Sequence, residues 1–177
     1  TKLESGFYHT EFEVQNIVDI IEDITLSVVE YAEAKNITII FDTNDEEFLM
    51  PVDVEKLDRI TLNLLSNAIK FTPSGGCVYV TLTCNNDTID ISVKDTGVGI
   101  SKEEQALIFN RFIQASNTNS ASTSGSGIGL SLVKSLTELL DGTITLNSEL
   151  NMGSEFIITL PVKDFDKASE EDRKSVV

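Results

Sequence analysis

Two runs of alternating residues, set a short loop apart, constrain this chain more than any other feature. Val78, Val80 and Leu82 alternate with Tyr79 and Thr81, and beyond Asn85 to Asp87 the pattern resumes as Ile89, Ile91 and Val93. A period of two puts the apolar residues of each run on one side of a strand, so the pair reads as a hairpin with a single buried face. That face has to be covered, and the chain carries helices with apolar arcs to cover it. Asn16 reads as the N-cap of a helix over 16 to about 34, with Ile17, Ile20, Ile21, Ile24, Val28, Tyr31 and Ala32 at helical spacing. Asp53 caps a longer helix running to Phe71, ended by Pro73 and the Gly75-Gly76 pair, and a third helix runs from about Ser126 to Leu140. Strands are expected at Phe7 to Val14, Ile37 to Phe41, Ile144 to Asn147 and Glu155 to Leu160. The sum is an α+β chain, a two-layer α/β sandwich with a mostly antiparallel mixed sheet and helices on one face.

With 177 residues, 41% of them apolar, the chain can bury one sizeable core. Residues 1–162 are expected to form that domain, and 163–177 read as a charged, disordered tail. Acidic side chains outnumber basic ones 29 to 13, for a net charge of −16, so nucleic acid and anionic lipid are poor partners. A phosphate compound would need a local cluster of donors and a metal ion to overcome that field. Cys77 and Cys84 sit at the two ends of one strand, about 23 Å apart at ~3.3 Å per residue, too far for a disulfide. With no signal peptide and no long apolar run, a reducing cytosolic setting is expected.

On the second helix Lys56, Arg59, Asn63, Asn67 and Lys70 share one narrow stripe, opposite Leu57, Ile60, Leu64, Leu65, Ala68 and Ile69. A solvated face is the plainer reading of such a stripe. Two interior asparagines argue against it, being mediocre helix formers. An amide oxygen is a hard ligand suited to Mg²⁺, and a lysine one turn away supplies positive charge for phosphates.

Two glycine loops complete the pattern. In Asp95-Thr96-Gly97-Val98-Gly99-Ile100 a carboxylate ends a strand and two glycines follow, which let the backbone turn tightly and approach a flat ring. A buried carboxylate only accepts hydrogen bonds, so it suits the exocyclic amine of adenine and repels the carbonyl of guanine. A simple turn between strand and helix would use the same residues. Gly125-Ser126-Gly127-Ile128-Gly129-Leu130 opens the third helix, where backbone N–H groups and the positive helix end can hold phosphate oxygens. A dinucleotide fold would need a buried strand just before it, whereas a Ser/Asn tract stands there, expected as a mobile lid over about 115–126.

These residues resemble the motifs of one family. Asn63-Leu-Leu-Ser-Asn67-Ala-Ile-Lys70-Phe71-Thr-Pro is similar to the N box of sensor histidine kinases, and Asp95-Thr-Gly97-Val-Gly99 to their G1 box. Ile108-Phe109-Asn-Arg111-Phe112 is similar to the F box and Gly125-Ser-Gly127-Ile-Gly129-Leu to the G2 box. The resemblance spans about residues 51 to 161 and implies the Bergerat ATP-binding fold of the GHKL group. It implies that Asn67 ligates Mg²⁺, that Asn63 lies near the metal and phosphates, and that Lys70 contacts phosphate. Phe71 would flank the nucleotide, Asp95 would bind the adenine amine, and Gly97, Gly99 and Ile100 would shape the base pocket. Gly125, Gly127, Ile128, Gly129 and Leu130 would wrap the phosphates, with Phe112 beside the nucleotide and Arg111 a structural or interdomain contact.

The function so implied is donation of the ATP γ-phosphate to a histidine on a separate dimerisation domain, with a response regulator as the downstream partner. The fragment itself would be monomeric, and the acceptor, with any sensor or membrane anchor, would belong to other parts of the full protein. His9, the sole histidine, reads as a strand residue and not as the acceptor. Members of the fold that hydrolyse ATP carry a water-activating glutamate where this chain has Asn63, so hydrolysis is expected to be slow. No Lys or Arg occurs between Arg111 and Lys134, which departs from many members. An anti-sigma-type serine protein kinase, or a domain that holds nucleotide without transferring phosphate, is the alternative.

Overall fold

Helix α3 (Val54–Phe71) is the element around which the rest is arranged, as its 18 residues and the spacing of its apolar positions require. Leu57, Ile60, Leu64, Leu65, Ala68 and Ile69 are all buried, so the apolar arc read from the sequence is the one that faces the core. In the computed structural model of this chain, which describes residues 9–109 and 126–164, the remaining helices are α1 (Ile17–Ser27), α2 (Val29–Ala34), α4 (Lys102–Gln105) and α5 (Ser126–Leu139). Strands β2 (Thr38–Thr43), β4 (Cys77–Cys84), β5 (Thr88–Asp95), β6 (Thr143–Ser148) and β7 (Ser154–Pro161) form one sheet in the order β2-β4-β5-β7-β6. Only β2 and β4 run parallel; the other neighbours are antiparallel. Strands β1 (Glu13–Asn16) and β3 (Leu49–Val52) pair separately as an antiparallel ribbon.

The hairpin read from alternation is β4–β5: Val78, Val80, Leu82, Ile89, Ile91 and Val93 are at most 1% exposed. The helices lie on that face and the opposite face carries residues such as Thr81, Ser92 and Asp90. Register sets Asp95 opposite Ser154, and Ser154 opposite Ser148, so these three stand side by side across β5, β7 and β6. Cys77 and Cys84 are free thiols.

Three expectations need correction. The helix expected over 16 to 34 is two helices, with Val28 at the break. Thr25 Oγ1 donates to the Ile21 carbonyl at 2.7 Å and Ser27 Oγ to the Ile24 carbonyl at 2.6 Å, and side chains that bond the preceding turn weaken a helix there, next to β-branched Val28 and Val29. The first strand is Glu13–Asn16; the part of 7–14 from His9 to Phe12 has no regular structure. Strand β3 was not anticipated, because Pro51 removes a donor; the residue is tolerated in a ribbon that has only one partner strand.

Lys56 also leaves the polar stripe to which the helical wheel assigned it. It is 7% exposed, and its Nζ donates to Asp53 Oδ2 at 2.9 Å and to the His9 carbonyl. Asp53 uses its other oxygen to cap α3 at the Lys56 N–H, 3.3 Å away, and Oδ2 also accepts the Glu11 N–H at 3.0 Å. The entering chain thus lies over the helix N-terminus, and this is why a cation can be buried there. At the far end Lys35 Nζ donates to the Ile69 carbonyl at 2.9 Å, meeting the negative helix end with a positive charge.

Removing one partner of the buried Asp53–Lys56 pair leaves the other uncompensated. Asp53→Ala is expected to cost about 3 kcal/mol or more in urea unfolding, from the lost pair and the lost cap together. Thr61→Val is expected to stay within about 1 kcal/mol of wild type, since the buried Thr61 hydroxyl has no partner among the described residues.

Candidate nucleotide site

Asp95 is the last residue of β5 and is 6% exposed. Its Oδ1 accepts the Gly97 N–H at 2.8 Å and the Ser154 N–H at 3.3 Å, while Oδ2 has no partner among the described residues. Burial pushes the carboxyl above the ordinary carboxylate range, and the two N–H bonds pull it partway back. One oxygen is therefore spent on holding the side chain still, and the other is available to a donor.

The backbone after Asp95 is held against neighbours on both sides. A Cβ on Gly97 would stand 2.4 Å from the Phe71 carbonyl oxygen, so the loop touches the end of α3 only because that residue is glycine. Gly99 has φ +71°, and a Cβ there would meet the Glu149 carbonyl oxygen at 2.0 Å. Val98 O accepts the Asn151 N–H at 2.7 Å, and the Ile100 N–H donates to Ser148 Oγ at 2.8 Å.

The second cluster lies between α3 and α5. Asn63 donates from Nδ2 to the Arg59 carbonyl at 2.7 Å, which leaves Oδ1 as an acceptor facing α5. A Cβ on Gly129 would come to 3.0 Å from that Oδ1, so the two helices meet at this pair. One turn further on, Asn67 makes no side-chain hydrogen bond among the described residues, and its Nδ2 is buried without a partner. Lys70 is exposed in the last turn of α3, with Nζ 5.7 Å from the centre of the half-buried Phe71 ring. Arg59, by contrast, pairs with Glu55 at 3.1 Å along the helix.

The structure thus brings Asn63 against Gly129 and Gly97 against Phe71, with Asn67 between the two contacts along α3. Leu130 is 5% exposed and belongs to the core, and Ile100 packs half-buried against it. Gly127 and Ile128 lie in the first turn of α5. Gly125, Arg111, Phe112 and the lid at 115–125 lie outside the described residues. Of the F box, Ile108 is buried and Phe109 stacks edge-on against Phe156, with centroids 6.2 Å apart.

Sequence reasoning missed the turn between β6 and β7. Gly153 has φ +86° and no room for a Cβ, which would stand 2.0 Å from the Asp95 carbonyl oxygen. Ser148, Ser154 and Gln105 all bond this region. The Asn-Met-Gly stretch signalled a turn, but nothing in it told which loop the turn would touch.

Residues 52–164 match the family described as histidine kinase-, DNA gyrase B- and HSP90-like ATPases. The chain belongs to this family. Within it the chain is similar to histidine kinases: it is 37% identical over 164 residues to histidine kinase P4 of Formosa agariphila, covering 91% of this chain and 12% of that protein. It is 36% identical over 144 residues to the sensor histidine kinase RppB of Synechocystis, covering 81% and 32%. The chain thus spans well under half the length of these relatives. Among solved structures, the catalytic domain of histidine kinase ThkA superposes with a TM-score of 0.77 at 26% identity, over 88% of this chain and all of that one. Full-length ShkA in complex with AMPPNP gives 0.76 at 26% identity, over 88% and 32%. The chain corresponds to the catalytic domain of the sensor histidine kinases, and its two-layer α/β sandwich is theirs.

For this GHKL domain, Asp95 carries a stability cost with a defined sign. A carboxyl whose folded pKa is raised holds its proton more tightly in the native state, so stability falls as pH rises from the unfolded value through the folded one. Asp95→Asn removes that titration and keeps an oxygen for the Gly97 and Ser154 N–H groups. Urea midpoints measured from pH 4 to pH 8 are expected to drop for wild type relative to Asp95→Asn as pH rises; parallel curves would contradict this.

Proposed function

We propose that this chain binds Mg²⁺-ATP and presents its γ-phosphate to a histidine on a dimerisation domain, in two-component signalling with a response regulator downstream. The observation that carries this reading is the pairing of a buried carboxylate having one free oxygen with asparagines set between it and the start of α5. Asp95 Oδ2 takes the exocyclic amine of adenine, in a charged hydrogen bond worth ~1.5–3 kcal/mol. Gly97 and Gly99 let the loop follow the flat base, and Phe71 flanks it. The ShkA neighbour that holds AMPPNP supports an adenine nucleotide as the ligand.

The residues present suit Mg²⁺. Asn67 has a carboxamide without a hydrogen bond among the described residues, and the Asn63 oxygen is likewise free of one there. Both are hard neutral oxygens of the kind Mg²⁺ takes alongside waters and phosphate. The metal, when bound, neutralises charge on the phosphate oxygens. Lys70 adds a mobile cation, and the N–H groups from Gly125 through Gly129 hold phosphate at the positive end of α5. With an overall charge of −16, these local groups supply the attraction that the rest of the surface lacks.

Asn63 stands where hydrolysing relatives place a glutamate, and its Nδ2 is already engaged with the Arg59 carbonyl. A carboxamide accepts no proton at neutral pH, so water near the γ-phosphate goes unactivated. The phosphoryl group is kept for the acceptor histidine. His9 is not assigned that role, because it lies in the irregular segment before β1 and not on a helix.

A chemical-shift titration with a non-hydrolysable ATP analogue, with and without Mg²⁺, tests the site. Asn67→Ala is expected to lose the metal-dependent part of the response and keep the shifts around Asp95; identical responses in both proteins would refute the metal assignment. With ATP and a dimerisation domain supplied in trans, acid-labile phosphate is expected on that domain, and unchanged in His9→Ala. ATP turnover by this chain alone at the rate of a dedicated ATPase would contradict the role given to Asn63.

A further inference from the structure

The chain leaves α3 without turning back to cap it. Thr72 is extended, with φ −97° and ψ 124°, and Pro73 behind it has no N–H to offer. The last carbonyls of the helix, those of Ile69, Lys70 and Phe71, therefore take their donors from other parts of the molecule. Lys35 Nζ donates to the Ile69 carbonyl at 2.9 Å and lies 3.5 Å from the Lys70 carbonyl oxygen. The Phe71 carbonyl accepts the Val98 N–H at 3.4 Å, from the loop that follows Asp95. The end of α3 is thus closed on one side by a cation and on the other by that loop.

Lys35 arrives at this point already held. It ends α2, its N–H donates to the Ala32 carbonyl at 3.0 Å, and its side chain is half-buried. The next residue, Asn36, has φ +58°; its carbonyl accepts the Gly75 N–H at 2.8 Å and its Nδ2 donates to Ser74 Oγ at 3.3 Å. The end of α2 is therefore stitched to the turn after α3. Lys35 is the only Lys or Arg between Lys2 and Lys56, and it precedes the stretch 52–164 that carries the family match. What it holds matters to the site, because the loop after Asp95 lies directly on the Phe71 carbonyl, which a Cβ on Gly97 would meet at 2.4 Å. We propose that Lys35 is a positioning residue for nucleotide binding. By tying the Ile69 and Lys70 carbonyls it keeps the last turn of α3 wound, which fixes the Phe71 carbonyl under the loop and the Lys70 and Phe71 side chains beside it. Loss of the ammonium leaves the negative end of the helix without its cation, and a helix end that lacks donors frays.

This rests on the reading of the site as a nucleotide site, and the test separates the two. Calorimetric affinity for a non-hydrolysable ATP analogue with Mg²⁺ would be measured on the whole chain, alongside Lys35→Met, which keeps the long apolar stem, and Lys35→Arg, which keeps the charge and the donors. Lys35→Met is expected to bind about threefold to tenfold more weakly, and Lys35→Arg to stay within about twofold of wild type. The loss in Lys35→Met is expected to persist at high salt, where the pull of a distant cation on the phosphates is screened. In the chain without nucleotide, the Gly97 and Val98 amides are expected to exchange hydrogen faster in Lys35→Met and as in wild type in Lys35→Arg. Wild-type affinity in Lys35→Met, a loss that vanishes at high salt, or an arginine variant no better than the methionine one would overturn the role of Lys35. Unchanged exchange at Gly97 and Val98 would break the link from Lys35 to the loop without reference to any ligand. Failure of the wild-type chain to bind the analogue would instead sink the nucleotide reading, and the role of Lys35 with it.

Discussion

A carboxylate kept out of water at the end of a strand is the constraint on which the other features of the site depend. Asp95 loses solvation when the sheet and helices close over it, and two backbone N–H groups recover only part of that loss. Those donors come from places far apart in sequence. Gly97 supplies one through the tight turn of its own loop, and Ser154 supplies the other from the neighbouring strand. Both require close backbone approach, and so glycine stands at 97 against Phe71 and at 153 against Asp95 itself. A side chain at either position would push the carboxylate off its donors and leave a buried charge without support.

Helix α3 links this pocket to the rest of the molecule. Its apolar arc is the centre of the core, its start is locked by Asp53 and Lys56 to the entering chain, and its last turn reaches the loop after Asp95. Asn63 and Asn67 lie between these fixed ends, Asn63 on the side that meets Gly129 of α5. A rigid helix held at both termini keeps the two carboxamides in position, Asn63 also through its Nδ2 bond to the Arg59 carbonyl and Asn67 with no side-chain hydrogen bond among the described residues. The thiols, free at opposite ends of β4, take no part in this.

Much of the arrangement was legible in the chain itself. Period-two alternation gave β4 and β5, and the apolar arc from Leu57 to Ile69 gave the buried side of α3. Where expectation and structure parted, the cause was a contact between distant segments in one case and local chemistry in the others. Lys56 lies in the polar stripe by its angle on the helix, yet it is buried because residues 9–11 pass over it. The long first helix breaks at Val28, where Thr25 and Ser27 bond the preceding turn. Strand β3 was hidden by Pro51, since a proline in an edge ribbon looks from sequence like a proline in a loop.

The site divides in the same way. Residue types and spacing pointed to Asp95, Asn63, Asn67 and the glycines of both loops as candidates for one chemistry, because carboxylate, carboxamide and glycine have properties that do not depend on neighbours. Only the tertiary structure decided which Asp95 oxygen lacks a partner among the described residues, that Gly129 faces Asn63, and that the β6–β7 turn with Ser148, Gly153 and Ser154 packs against Asp95 and the loop after it. Such facts arise from the pairing of β5 with β7 and of β7 with β6. Strand partnership is set by packing across the whole sheet, and no local pattern of residues records it.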